Sequence, residues 1–161
     1  MKEITFVRHA KSSWEHNVSD RERPLKRRGI NDSHLVSTSF KKINFTPDTI
    51  FTSPALRSRK TCEIFIENLN LFEIRLKIEE DIYDFGGNQL IDFIKSLDKK
   101  LNKIMIFGHN HALTSIVNTF GSIYIDNVPT SGLIKISFDI DNWHEIKGGE
   151  TTLTIFPRDL K

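Results

Sequence analysis

The chain has a single cysteine, Cys62, among 161 residues, so no internal disulfide can hold it together. Free thiols persist in reducing compartments, which makes a cytoplasmic setting the expectation. No apolar stretch approaches the ~20 residues that span a bilayer, and the chain opens on a strand-like run rather than on the basic region and apolar core of a secretory leader. Membrane insertion and secretion are therefore disfavoured. Charge of one sign is also scarce: 23 lysines and arginines against 21 acidic residues leave a formal net charge of +2, too little for the footprint of a nucleic-acid binder. The basic clusters Lys26-Arg27-Arg28, Lys41-Lys42 and Lys99-Lys100 are short and read as solvated helix surface. Glycine and proline are few and dispersed, with no repeat or flexible linker to divide the chain.

What is present is an alternation. Apolar runs at 3–7, 49–52, 75–79 and 103–107 are separated by segments with helical period. Val36, Phe40 and Ile43 form one stripe; Cys62, Phe65, Ile66 and Leu69 a second; Leu90, Ile94, Leu97 and Leu101 a third. The fourth, Leu113, Ile116, Val117 and Phe120, ends at Gly121, a natural residue for the end of a helix. All four stripes read as core. After residue 130 the pattern becomes two-residue alternation, Leu133–Phe138 and Thr152–Phe156, across a turn region containing Gly148-Gly149, which signals a hairpin. The expectation is one α/β domain over residues 1–161: a three-layer α/β/α sandwich on a mostly parallel sheet with an antiparallel edge strand.

Arg8-His9 follows the first apolar run, and Gly108-His109 follows the fourth. Strand ends are where open α/β sheets place their chemistry, and two such ends can share a pocket. Between them, Ser53-Pro54-Ala55-Leu56-Arg57 reads as a helix start with Ser53 as N-cap, Pro54 in the first position and Arg57 in the first turn. Asn110 is a candidate cap for the helix after His109. Two guanidiniums, two imidazoles and two helix N-termini suit a compact dianion, and phosphate matches the guanidinium fork. No serine or cysteine sits in a nucleophile elbow, which leaves His9 to attack phosphorus, its imidazole kept neutral by neighbouring positive charge.

The blocks Val7-Arg8-His9-Ala10-Lys11-Ser12-Ser13-Trp14, Asp20 with Arg23-Pro24-Leu25 and Gly29, Ser53 through Thr61, Gly108-His109-Asn110, and Pro129-Thr130-Ser131-Gly132 occur in order. Together they resemble the histidine phosphatase superfamily, also called phosphoglycerate mutase-like, and within it the small phosphohistidine phosphatase branch. The resemblance implies a phosphoglycerate mutase-like fold, a covalent phosphohistidine on His9, and phosphate held by Arg8, Arg57 and His109, with Ser12 and Asn110 as further candidate ligands and no metal or other cofactor. Ala10 stands where the superfamily usually has glycine, and the long insertion that forms a lid in larger members is missing, so an open, shallow site is expected. Such a site suits a phosphorylated small molecule or a phosphohistidine protein. Glu80, three residues before Tyr83, resembles the position of a general acid; Asp84 is the second candidate, and a phosphohistidine substrate needs none. Two other readings stand beside a phosphatase: a non-catalytic phospho-ligand module, and a metal-dependent phosphohydrolase built around His109-Asn110-His111 with His9, Asp81 and Asp84. Mutase activity ranks lower, because little chain is left to hold and turn a phosphoglycerate.

Overall fold

The computed structural model describes all residues, 1–161. One six-stranded sheet carries the molecule: β1 (Lys2–Arg8), β2 (Thr49–Thr52), β3 (Arg75–Ile78), β4 (Lys103–Gly108), β5 (Leu133–Phe138) and β6 (Glu150–Ile155), in the order β3-β2-β4-β1-β5-β6. The ladders among β1 to β4 are parallel, whereas β5 runs antiparallel to β1, and β6 antiparallel to β5. The reversed strand is thus β5, next to the edge, and β6 regains the direction of β1.

The helices are α1 (Arg27–Lys41), α2 (Leu56–Leu69), α3 (Asn88–Lys95) and α4 (Ala112–Phe120). Strand residues alternate between two cores, which makes the three layers. Val7, Ile50, Met105, Phe107 and Leu133 meet Val36, Phe40, Cys62 and Phe65 of α1 and α2. Ile4, Phe6, Phe51, Ile104, Ile106 and Ile136 meet Leu90, Ile94, Leu113, Ile116 and Val117 of α3 and α4. The period of two in the strands and of 3.6 in the helices therefore select the same two faces.

Several sequence expectations shift in detail. α1 ends at Lys41, so Ile43 falls past the helix and is exposed, followed by Asn44 with φ 58°. α3 ends at Lys95, and Leu97 and Leu101 pack against the core from the loop after it. Gly121 follows α4 in extended backbone, φ −84° and ψ 172°, rather than in a left-handed turn. A side chain there would strike Thr151 and the Val117 carbonyl, so space and not φ demands the glycine. β3 is an exposed edge, with Leu76 and Ile78 open to solvent. No helix is long and apolar enough to cross a membrane.

Candidate active site

β1 and β4 lie side by side in parallel, with Arg8 opposite Gly108, so His9 and His109 leave adjacent strands at the same level. β2 flanks β4 on the other side, and its C-terminal end delivers Ser53 and then Arg57. Three neighbouring strand ends at the centre of the sheet thus gather Arg8, His9, Arg57 and His109, the position where doubly wound sheets open a crevice. The His9 and His109 rings are 5.2 Å apart. A cavity of about 290 Å³ opens here, lined by Arg8, His9, Lys11, Ser12, Trp14, Asp20, Arg23, Arg57, Phe85, Asn110 and Thr130. A larger cavity of about 640 Å³ near Phe40, Phe45 and Leu71 has neither histidine nor arginine in its lining.

The helix bearing Arg57 starts later than its sequence suggests. α2 begins at Leu56 with Ala55 as N-cap, and Ser53 is freed for two other contacts, accepting the Ala55 N–H at 3.2 Å and sharing a 2.7 Å hydrogen bond with His109 Nε2. Thr61, one turn along α2, accepts the Ala10 N–H at 2.8 Å and donates to the Arg57 carbonyl at 2.7 Å, which ties the loop after β1 to the helix that carries Arg57. Ser131, with φ 62°, points its N–H at the Arg8 and His9 carbonyls.

His9 Nδ1 donates to the Ala10 carbonyl at 2.8 Å, which fixes the proton on that nitrogen and leaves Nε2 unprotonated, its lone pair an acceptor. Arg57 Nε approaches that lone pair at 3.4 Å. Burial holds the His9 imidazole well below its ordinary range; the hydrogen bond to the Ala10 carbonyl opposes it, and His109, Arg57 and Arg8 in turn add to the lowering. His109 is likewise pushed down to about 3, by burial first and by Arg57 second. Both rings are therefore neutral near neutral pH. Arg8 Nε is buried with no protein partner, while its Nη1 donates to the Val128 carbonyl at 2.8 Å. His109 does not line the cavity surface itself, since Phe85 and Tyr83 pack over its ring at 5.0 and 5.4 Å.

The remaining candidates divide. Ser12 lines the cavity and accepts from Arg23 Nη1 at 2.6 Å, with its own proton free to be donated. Asn110 also lines it, but its oxygen takes the Thr114 N–H and hydroxyl while its amide reaches Asn127 and Val128, so it caps α4 and clamps a loop instead of facing a ligand. Glu80 is corrected outright. It is exposed, outside the cavity lining, and forms a two-pronged pair with Arg21 at 2.9 and 2.6 Å that holds its carboxyl below the usual range. Asp84 is spent on backbone, accepting from Gly86, Gly87 and Leu90 at the start of α3. No three His, Cys, Asp or Glu side chains come together as a metal site.

Sequence reasoning assigned no role to Asp20, Arg23 or Tyr83. Asp20 lines the cavity; its carboxylate and carbonyl take Arg57 Nη2 at 3.0 Å and Nη1 at 2.7 Å, and Tyr83 and Arg23 also donate to the carboxylate. Burial opposes its charge, but the hydrogen bonds from Tyr83 and Arg57 outweigh burial and hold the carboxyl down at about 2. The i, i+3 spacing of Asp20 and Arg23 before Pro24 was the available signal, since two opposite charges at a rigid turn favour a fixed ion pair.

Buried imidazoles and guanidiniums gathered at the central strand ends of a doubly wound sheet make a site that suits a compact anion such as phosphate. The chain belongs to the histidine phosphatase superfamily (branch 1), whose sequence model matches residues 4–88, just over half of its length. An uncharacterized protein of Mycobacterium tuberculosis is 22% identical over 160 residues, covering 93% of this chain and 98% of its own. The fold is shared with the protein histidine phosphatase SixA solved with tungstate, at a TM-score of 0.83, 19% identity and 99% coverage of both chains. It is also shared with a SixA-type phosphohistidine phosphatase from Agrobacterium tumefaciens, at a TM-score of 0.77 and 18% identity over 96% of this chain and 97% of that one.

Proposed function

We propose that this chain is a metal-independent phosphatase that passes a phosphoryl group through a covalent phosphohistidine on His9, with a phosphohistidine side chain as the preferred substrate. The observation that carries this reading is the fixed tautomer of His9: Nδ1–H is held by the Ala10 carbonyl and Nε2 faces the guanidinium of Arg57. A lone pair on Nε2 is what in-line attack on phosphorus requires. Arg8 and Arg57 neutralise charge on the equatorial oxygens, and the unpartnered Arg8 Nε is a donor that a phosphoryl oxygen would satisfy. Ser53 orients His109. Its oxygen accepts both the Ala55 N–H and the His109 Nε2–H, which leaves Nδ1 as the acceptor for Arg57 Nη2 at 3.5 Å.

The choice of substrate follows from the missing acid. Glu80 and Asp84 are engaged elsewhere, and Asp20, with its carboxyl near 2, is ionised and carries no proton to give. An alkyl phosphate would leave as a poor alkoxide, whereas a phosphohistidine protonated on its second ring nitrogen leaves as neutral imidazole. In the first step the N–P bond to substrate breaks as the bond to His9 Nε2 forms. In the second, water attacks phosphorus, the His9–phosphorus bond breaks, and both water protons leave with the product as dihydrogen phosphate. Similarity in fold to SixA supports this substrate class, because that protein is a protein histidine phosphatase. The test is a panel of phosphohistidine peptide, sugar phosphate and aryl phosphate, assayed with chelator present. Turnover of the peptide, with acid-labile and base-stable phosphate trapped on the protein, is expected; activity that vanishes with chelator would overturn it.

A further inference from the structure

Two flat side chains stand at the mouth of the phosphate cavity, and nothing in the reaction described so far uses them. Trp14 is 73% exposed and Phe85 47% exposed, and both line the cavity. Other large apolar side chains are exposed elsewhere, Phe72 and Tyr124 among them, so exposure alone means little. What sets these two apart is how each is held. The Trp14 indole lies 3.6 Å from the guanidinium carbon of Arg23, which is itself buried and anchored to Ser12 and Asp20. A cation stacked on one face fixes the ring and leaves the other face to solvent. Phe85 is braced from beneath by Tyr83 and His109, at ring separations of 5.3 and 5.0 Å. The cavity, at about 290 Å³, has more room than a phosphoryl group fills.

We infer that Trp14 and Phe85 form a rim that selects phosphoryl compounds whose leaving group is a planar aromatic ring, by stacking on that ring while the cationic floor holds the phosphorus. This rests on the proposed phosphatase reading and adds specificity to it. Aromatic rings gain from offset or edge contacts beyond their buried area, and rigid rings lose little entropy on contact. An aliphatic leaving group, such as the serine side chain, would leave both faces bare. Arg23 acts here as a positioning residue, because its guanidinium holds the Trp14 ring that meets the leaving group.

The test compares pairs that differ only in the ring: N-phosphoimidazole against phosphoramidate for turnover, and phenylphosphonate against methylphosphonate for binding by calorimetry. The wild-type chain is expected to favour the ring-bearing member of each pair. Trp14→Ala and Phe85→Ala should each cut that preference by about three- to tenfold, and Trp14→Phe should keep most of it. Arg23→Lys, which retains charge but not the flat stacking surface, should lower the preference as Trp14→Ala does. Equal affinity for the two phosphonates in the wild type, or preferences unmoved in both alanine variants, would overturn the inference even if turnover is robust. A phosphonate preference that depends on the two rings, in a protein without turnover, would support the rim while sinking the phosphatase reading.

Discussion

His9 and His109 are adjacent imidazoles that the fold keeps neutral by the same means, burial reinforced by Arg57, yet they face different partners. His9 spends its proton on a carbonyl and keeps a lone pair; His109 meets a hydroxyl that can serve as donor or acceptor. Replacing His9 by Ala is therefore expected to remove turnover, by three orders of magnitude or more, while tungstate or phosphate binding stays measurable by calorimetry; retained turnover would exclude it as nucleophile. Glu80→Gln probes the corrected acid. With its carboxylate exposed and bound to Arg21 outside the cavity, the variant should keep kcat on an aryl phosphate within about twofold, and a hundredfold loss would restore Glu80 to catalysis. Asp20 differs in kind: an anion inside an anion site, it takes donors from Arg57 that a phosphate would otherwise find. Asp20→Asn is thus expected to tighten inorganic phosphate as a competitive inhibitor several-fold, read as Ki at neutral pH.

At the scale of elements, the candidate site depends on backbone segments being pinned to one another. Gly29 of α1 packs so closely on the loop after β1 that a Cβ would stand 2.8 Å from the Lys11 nitrogen and strike the Lys11 carbonyl, which already accepts the Lys26 N–H. Gly29→Ala must push that loop away, and with it Ser12, Trp14 and Asp20. A loss of about 1–3 kcal/mol in denaturant unfolding is expected, together with a drop in kcat/KM larger than distance from His9 would suggest. Asp84→Ala should cost about 1–2 kcal/mol by stripping the N–H groups of Gly87 and Leu90 of their acceptor. These elements also show what a sequence makes legible. Strand runs and helical stripes were readable because burial imposes a period, and Arg8, His9, Arg57 and His109 because each follows or opens such an element. Asp20, Arg23 and Tyr83 were not, because they reach the site from a loop with a short 3-10 turn at Asp20–Glu22 and from another at Glu80–Ile82, where position follows from long-range pairing and has no periodic trace. Glu80 was misplaced for the same reason: its spacing from Tyr83 matched, but Arg21 across the gap captured it.

For the molecule as a whole, burying two neutral imidazoles beside several guanidiniums at one end of the sheet has a cost that appears as acid sensitivity. His109 has its folded value near 3 and His9 lies well below its ordinary range, while in the unfolded chain each returns to about 6.5. Between those limits the unfolded chain binds protons that the native chain refuses, so stability must fall as pH drops from about 6.5 toward 3, by up to about 1.4 kcal/mol per pH unit for each histidine. Asp20 adds a later loss with a different origin. Its folded value near 2 lies below the ordinary carboxylate range, so the stability it contributes is present above about 4 and disappears as pH falls through 2. Thermal unfolding followed by circular dichroism across pH 3–8 should therefore show a plateau above 7 and a steady decline beneath 6.5. His109→Gln, which keeps a hydrogen-bonding side chain but cannot titrate, should flatten the upper part of that decline; a slope unchanged from wild type would mean that His109 is not among the groups that keep protons off the folded chain.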